Sequence, residues 1–167
     1  RNFILQWLLK KNVVPNVSAV LMKKLYLLDK LKDIDKIEKC GDWFLYILLC
    51  LDSNICFVNK KLNYFRRHPE SVISKAEKPN WHYDAIMRRK LNKVLKSRDS
   101  DQAITRIAQK NIALYYNDLG MLGAYQIRNK RIITGIKNTI TAILRTGSIK
   151  YLREAIRGYK LLITNNS

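Results

Sequence analysis

Apolar side chains at Phe3, Ile4, Trp7 and Leu8 are spaced as on one face of a helix, so residues 2–11 are predicted helical. Asn12 to Val17, with Pro15 at its centre, reads as a turn leading out of that helix. A short strand is expected from Ser18 to Met22. From Leu25 to Glu38 apolar residues recur at Leu25, Leu28, Leu31, Ile34 and Ile37, a step of three that suggests one helix, or a loop and a helix, ended by Gly41. Asp42 opens an apolar run to Leu51 that reads as a second helix, closed by Asp52-Ser53-Asn54. Ile55–Val58 and Leu62–Arg66 are rich in strand formers and flank Asn59-Lys60-Lys61, which predicts a hairpin or a pair of edge strands; Pro69 stops the second. Beyond residue 80 the strand pattern ends, and three or four basic amphipathic helices are expected near 80–97, 101–119, 121–145 and 148–163. Asp99-Ser100-Asp101 and Gly147-Ser148 mark joints between them. The pattern therefore predicts an α+β chain, mostly helical: a lobe with a few strands over residues 1–78 and a basic helical extension over 79–167.

Composition narrows this picture. With 167 residues, 47% of them hydrophobic, the chain can bury a core. Thirty-two Lys and Arg against 13 Asp and Glu give a formal charge of +19, which calls for phosphates, anionic lipid or acidic partners without choosing among them. Cys40, Cys50 and Cys56 are odd in number and form no Cys-x-x-Cys pair, so buried thiols in a reducing compartment are expected, with the cytosol as default. The longest apolar run, Trp43–Leu51, is about half the roughly 20 residues of a membrane-spanning helix. The sequence opens at Arg1 with a helical apolar pattern at once, which reads as a cut chain.

The chemistry-bearing stretch is Gly41-Asp42-Trp43-Phe44, then a helix, then Leu62-Asn63-Tyr64-Phe65-Arg66-Arg67-His68 ending in Ser71-Val72, with Asn12-Val13-Val14-Pro15-Asn16-Val17-Ser18-Ala19-Val20-Leu21 upstream. In order and spacing these three blocks resemble the acceptor-side portion of inverting family 2 glycosyltransferases, over roughly residues 1–75. The resemblance implies the C-terminal part of a GT-A-type domain, with Asp42 as the general base that deprotonates the acceptor hydroxyl. It implies that Trp43, Asn16 and Ser18 border the acceptor sugar, and that His68, with Arg66 or Arg67, lies near the donor diphosphate or its metal, His68 being the implied metal ligand. Mn or Mg is the implied cofactor, and a nucleotide-sugar and a saccharide or lipid-linked glycan are the implied substrates, in cell-surface polysaccharide synthesis. Inverting transfer requires a carboxylate within hydrogen-bond reach of the attacking hydroxyl and a cationic group to take up charge on the departing diphosphate.

Plainer readings of the same residues stand beside this one. Asp42 at a helix start suits an N-cap, His68 before a proline suits the surface, and Arg66 and Arg67 suit a charged edge strand. Asp33-Ile34-Asp35 and Asp99-Ser100-Asp101 match the family's metal-binding Asp-x-Asp in letters but not in place, since that motif precedes the acceptor blocks by a long way. They read as helix-surface and helix-cap carboxylates. The nucleotide-binding half, with its Asp-x-Asp, is not in this sequence, so activity is expected of the full-length enzyme and not of the isolated fragment.

From Met121 to Ser167 nine Lys and Arg face the single acid Glu154. Ile149, Leu152, Ile156, Tyr159 and Ile163 fall on one helical face, with Lys150, Arg153, Arg157 and Lys160 over much of the rest. An interfacial helix on anionic lipid and a core-packing helix with a solvated basic face fit this equally. The first places the protein peripherally at the inner face of the membrane. A basic module binding nucleic acid or membrane without catalysis is the competing reading, suggested by Arg88-Arg89-Lys90 and Arg128-Asn129-Lys130-Arg131. Nucleic acid is not the expected partner, because the basic residues are spread along the chain and no nucleic-acid motif is present. A scaffold without catalysis, left after loss of the donor half, is a third.

Overall fold

The computed structural model describes residues 2–14, 16–34, 37, 39–64, 80–98 and 102–164. Among them are seven helices and no strand: α1 (Asn2–Lys10), α2 (Lys24–Ile34), α3 (Gly41–Asp52), α4 (Asn80–Lys96), α5 (Gln102–Arg128), α6 (Ile132–Thr146) and α7 (Lys150–Thr164). The α+β class expected from sequence, and with it the GT-A-type architecture, is thereby corrected to an all-helical one over the described residues. The chain divides into two compact units, residues 1–78 and 79–167, the boundary that the change in composition marks.

The three expected strands fail for local reasons. At Ser18–Met22 the side chain of Asn16 captures the backbone N–H of Ala19 at 2.9 Å, and Val20 N–H reaches Val17 O at 3.1 Å, winding Val17–Ala19 into a single 3-10 turn. A side-chain acceptor two or three residues back is a standing competitor to an extended strand. Ile55–Val58 and Leu62–Tyr64 have strand-forming side chains but no ladder, and the backbone bond there, Lys60 N–H to Val58 O at 2.9 Å, closes a tight turn. Phe65 and Arg66 lie outside the described residues.

In the first unit α3 is the core. Its run of apolar residues is unbroken, so Trp43, Phe44, Leu45, Tyr46, Ile47, Leu48, Cys50 and Leu51 are all buried. Such all-round burial is what a helix without a polar face demands. α1 packs Leu5, Leu8 and Leu9 into the same interior and touches α3. α2 also touches α3, and Lys30 Nζ ties the two by a 2.6 Å ion pair to Asp52, while pairing with its neighbour Asp29 at 2.7 Å. The three-residue apolar step of α2 is nonetheless left outside: Leu25, Tyr26, Leu28 and Leu31 are exposed. The cysteines are free thiols; Cys50 is buried as expected, Cys40 is half-buried and Cys56 is exposed.

In the second unit α5 is the central helix, contacting α4, α6 and α7. It runs straight through Gly120 and Gly123, where the composition suggests a break between 119 and 121. These glycines are crossing points and not breakers. A Cβ on Gly120 would strike the Tyr151 ring of α7, and one on Gly123 would lie 2.7 Å from Gly135 O of α6. α5 ends instead at Arg128, where Lys130 takes a left-handed φ of 64° and the Arg131 N–H bonds Gln126 O at 2.8 Å, closing a Schellman turn. α4 and α5 are joined by a buried polar cluster. Arg88, 2% exposed, pairs through Nε with Asp118 at 2.6 Å and through Nη1 with Asn111 at 3.2 Å. Asn111 in turn donates to Arg88 O and Asn92 Oδ1. Arg88 is thus spent inside the unit, and the basic triplet that suggested nucleic-acid binding loses its first member.

Candidate active site

The candidate site is the entrance to α3. Cys40, immediately before the helix, adopts a left-handed backbone (φ 67°, ψ 13°), an uncommon state for a residue with a Cβ. It serves as the N-cap position, and its side chain makes no capping bond. Gly41 and Asp42 form the first turn, so Asp42 lies inside the helix and is not the cap the plainer reading expected. Its Oδ1 accepts the Trp43 backbone N–H at 2.7 Å, one of the free donors of a helix N-terminus. Its Oδ2 receives a long contact of 3.4 Å from Asn12 Nδ2. Asn12 is set by its own loop, since its Oδ1 accepts Val14 N–H at 3.1 Å. The half-buried carboxylate therefore keeps one oxygen engaged by backbone and one turned to the loop that follows α1.

Asn16 and Ser18 sit on that loop. Asn16 Oδ1 accepts three donors: Ser18 Oγ at 2.7 Å, Ala19 N–H at 2.9 Å and Asn63 Nδ2 at 2.9 Å. Asn63 Nδ2 also approaches Ser18 Oγ at 3.4 Å. The first block of the sequence reading is thus bonded to the second through Asn12 and Asp42, and to the third through Asn16, Ser18 and Asn63. The amides of Asn12 and Asn63 are what bring the blocks together, a role the sequence alone does not single out.

Trp43 is placed differently from expectation. It is 3% exposed, and its Nε1 donates to Leu8 O at 2.6 Å, so it fastens α3 to α1 and presents no ring face for a sugar. The exposed aromatic beside the polar cluster is Tyr64, at 97%. One turn beyond Asp42 on the same helix, Tyr46 is 4% exposed with a hydroxyl that has no partner. Burial, and then the negative charge of Asp42, push its ionisation above the usual 10.0. Spacing of four from Asp42 was the sequence signal for it.

Arg66, Arg67 and His68 lie outside the described residues, as do Asp35 and the Asp99-Ser100-Asp101 motif. Among the described residues no three His, Cys, Asp or Glu side chains come together as a metal site would require. Comparison of the chain with protein-family profiles, with curated proteins and with solved structures gave no match.

Proposed function

We propose that this chain supplies the acceptor side of an inverting sugar transfer from a nucleotide-sugar to a hydroxyl of a saccharide or lipid-linked glycan, with Asp42 as the general base. The observation that carries this reading is the joining of three separated sequence blocks by two amides, Asn12 reaching the Asp42 carboxylate and Asn63 reaching Asn16. In the proposed step Asp42 Oδ2 takes the proton of the acceptor hydroxyl as its oxygen attacks the anomeric carbon. The bond from that carbon to the diphosphate breaks, and the nucleoside diphosphate leaves with the electron pair. Asn16, Ser18 and Asn63 offer hydrogen bonds to the acceptor's other hydroxyls, and the exposed Tyr64 ring offers an apolar face to a sugar. His68, Arg66 and Arg67 are assigned to the diphosphate, and the rest of the donor site is assigned to residues beyond this sequence.

The test is turnover of a panel of nucleotide-sugars by the full-length protein and its Asp42→Asn variant, with Mn or Mg supplied. Asn keeps the shape and removes the base, so a fall of about 10²–10⁴ in kcat is expected. Equal rates in a folded variant overturn the role of Asp42, and failure of every donor to turn over in the wild type overturns the reaction class.

A further inference from the structure

Helices of a water-soluble bundle ordinarily bury their large aliphatic side chains and expose small or polar ones. α6 and α7 do the reverse. α6 packs on α5 through Gly135, Thr139 and Ala142, and α7 buries Tyr151, Ala155 and Gly158. The crossings are glycine-tight: a Cβ on Gly158 would lie 2.7 Å from Ala124 O of α5, and one on Gly135 would lie 2.6 Å from Gly123 O. The large residues point away. On α6, Ile133 (86% exposed), Ile140 and Leu144 (79%) form an outward stripe. On α7, Leu152, Ile156 and Tyr159 form another. α6 and α7 touch each other as well as α5, which sets the two exposed stripes on neighbouring helices. Small residues between helices with large aliphatic ones outside is the packing of proteins whose outer solvent is lipid.

Neither helix spans a bilayer. Each has 15 residues, against about 20 needed, and no helix among the described residues is long and apolar enough to cross a membrane. A helix of this kind lies in the plane of the interface, with basic side chains along the edge of its apolar face. On α7 Arg153, Arg157 and Lys160 border the stripe, all exposed, and on α6 Lys137 does the same. We propose that the α6–α7 face is a docking surface for an anionic lipid bilayer, into which the Ile and Leu side chains insert while the flanking Lys and Arg meet lipid phosphates. Charge selects this occupant over a second copy of the chain. The flanking Lys137, Arg153, Arg157 and Lys160 would be brought face to face in a dimer, whereas they complement a negative headgroup layer.

The experiment is flotation of the whole chain with vesicles of phosphatidylcholine alone and of phosphatidylcholine mixed with phosphatidylglycerol, at low and high salt. Binding is expected to favour the anionic vesicles by about tenfold or more and to weaken as salt rises. Ile140→Glu with Ile156→Glu is expected to abolish it. Arg153→Gln with Arg157→Gln, which leaves the apolar face whole, is expected to weaken it by about fivefold per charge removed. Circular dichroism checks that the variants fold, and the arginine pair tests the proposal should the isoleucine pair unfold. Equal binding to both vesicle types, or binding unchanged in the arginine variant, overturns the proposal. So does light scattering that shows lipid-free self-association abolished by Ile156→Glu, which would assign the face to a second copy.

Discussion

Gly135→Ala tests a close helix crossing in the second unit. In an open helix this change stabilises, by about 1 kcal/mol, because Ala loses less backbone freedom than Gly. Here the new methyl would stand 2.6 Å from Gly123 O, 2.6 Å from Ile127 Cγ1 and 2.9 Å from Ile127 N. Carbon contacts are comfortable at about 3.5–4.0 Å, so α6 must withdraw by roughly 1 Å along a seam where two of the three obstacles are backbone atoms. Overpacking of this kind costs about 1–3 kcal/mol, and more where nothing flexible can yield. The crossing term outweighs the propensity gain, and a net loss of about 1–2 kcal/mol is expected. For a unit of this size that lowers its melting temperature by about 4–8 °C per kcal/mol. Thermal unfolding by circular dichroism measures the loss, and amide hydrogen exchange localises it to α5 and α6. Gly41→Ala is the contrast, since a Cβ there meets nothing within 4 Å and should leave the melt unchanged or slightly higher. A Gly135→Ala protein as stable as wild type, or more so, would refute the close crossing and the small-inside packing with it.

Lys130 occupies the left-handed position of the Schellman turn that ends α5, with φ 64°, so Lys130→Gly should raise the stability of the second unit by about 1 kcal/mol, read by urea unfolding. In the first unit, hydrogen bonds to Asp29 and Asp52 hold Lys30 above its usual 10.5, and burial then Asp42 hold Tyr46 above 10.0. Both groups are more protonated when folded, so their stabilising effect is complete below those values and is lost as pH rises through the folded ones. Melts between about pH 8 and pH 12 should show the first unit weakening from about pH 10 upward. The Lys30→Met and Tyr46→Phe double variant should show a shallower alkaline slope, and an identical slope would show that neither group is responsible.

The helices were legible because their apolar residues recur at helical spacing, whether the face they mark is buried, as in α4, or exposed, as in α7. Residues 2–11, 80–97 and 148–163 are read within a residue or two of α1, α4 and α7, and the unbroken run after Asp42 is the buried α3. Two kinds of element were not legible. The α5 glycines read as punctuation because their neighbours across the crossing, Tyr151 and Gly135, are distant in sequence; only tertiary contact distinguishes a glycine that breaks a helix from one that admits another. The strand runs failed because propensity describes a side chain on a pleated surface, and among the described residues Ile55–Val58 has no second strand to make that surface. At the site, the identity of Asp42 as a first-turn carboxylate followed from its place before an apolar run. The role of Trp43 did not, because an indole beside a charged residue reads equally as a sugar platform or as a core anchor until its Nε1 is seen to reach Leu8 O.

The placement of Asp42 also fixes what the Asp42→Asn experiment can say. Had the carboxylate been the N-cap, its replacement would perturb a helix whose eight buried apolar residues form the centre of the first unit, and a lost activity would be ambiguous. The cap position is Cys40, whose side chain makes no capping bond and whose left-handed backbone costs about 1–3 kcal/mol, outweighed by the burial of α3 at about 1.5–3 kcal/mol for each large side chain. Asp42 contributes its favourable charge at the helix N-terminus, about 0.3–1 kcal/mol, the long 3.4 Å contact from Asn12, and an acceptor for the Trp43 N–H that the Asn carbonyl oxygen retains. The variant should therefore unfold within about 1 kcal/mol of wild type, as measured by chemical denaturation, while transfer falls by orders of magnitude. A loss of several kcal/mol instead would mean that the carboxylate holds α3 in place, and the catalytic assignment would lose its main test.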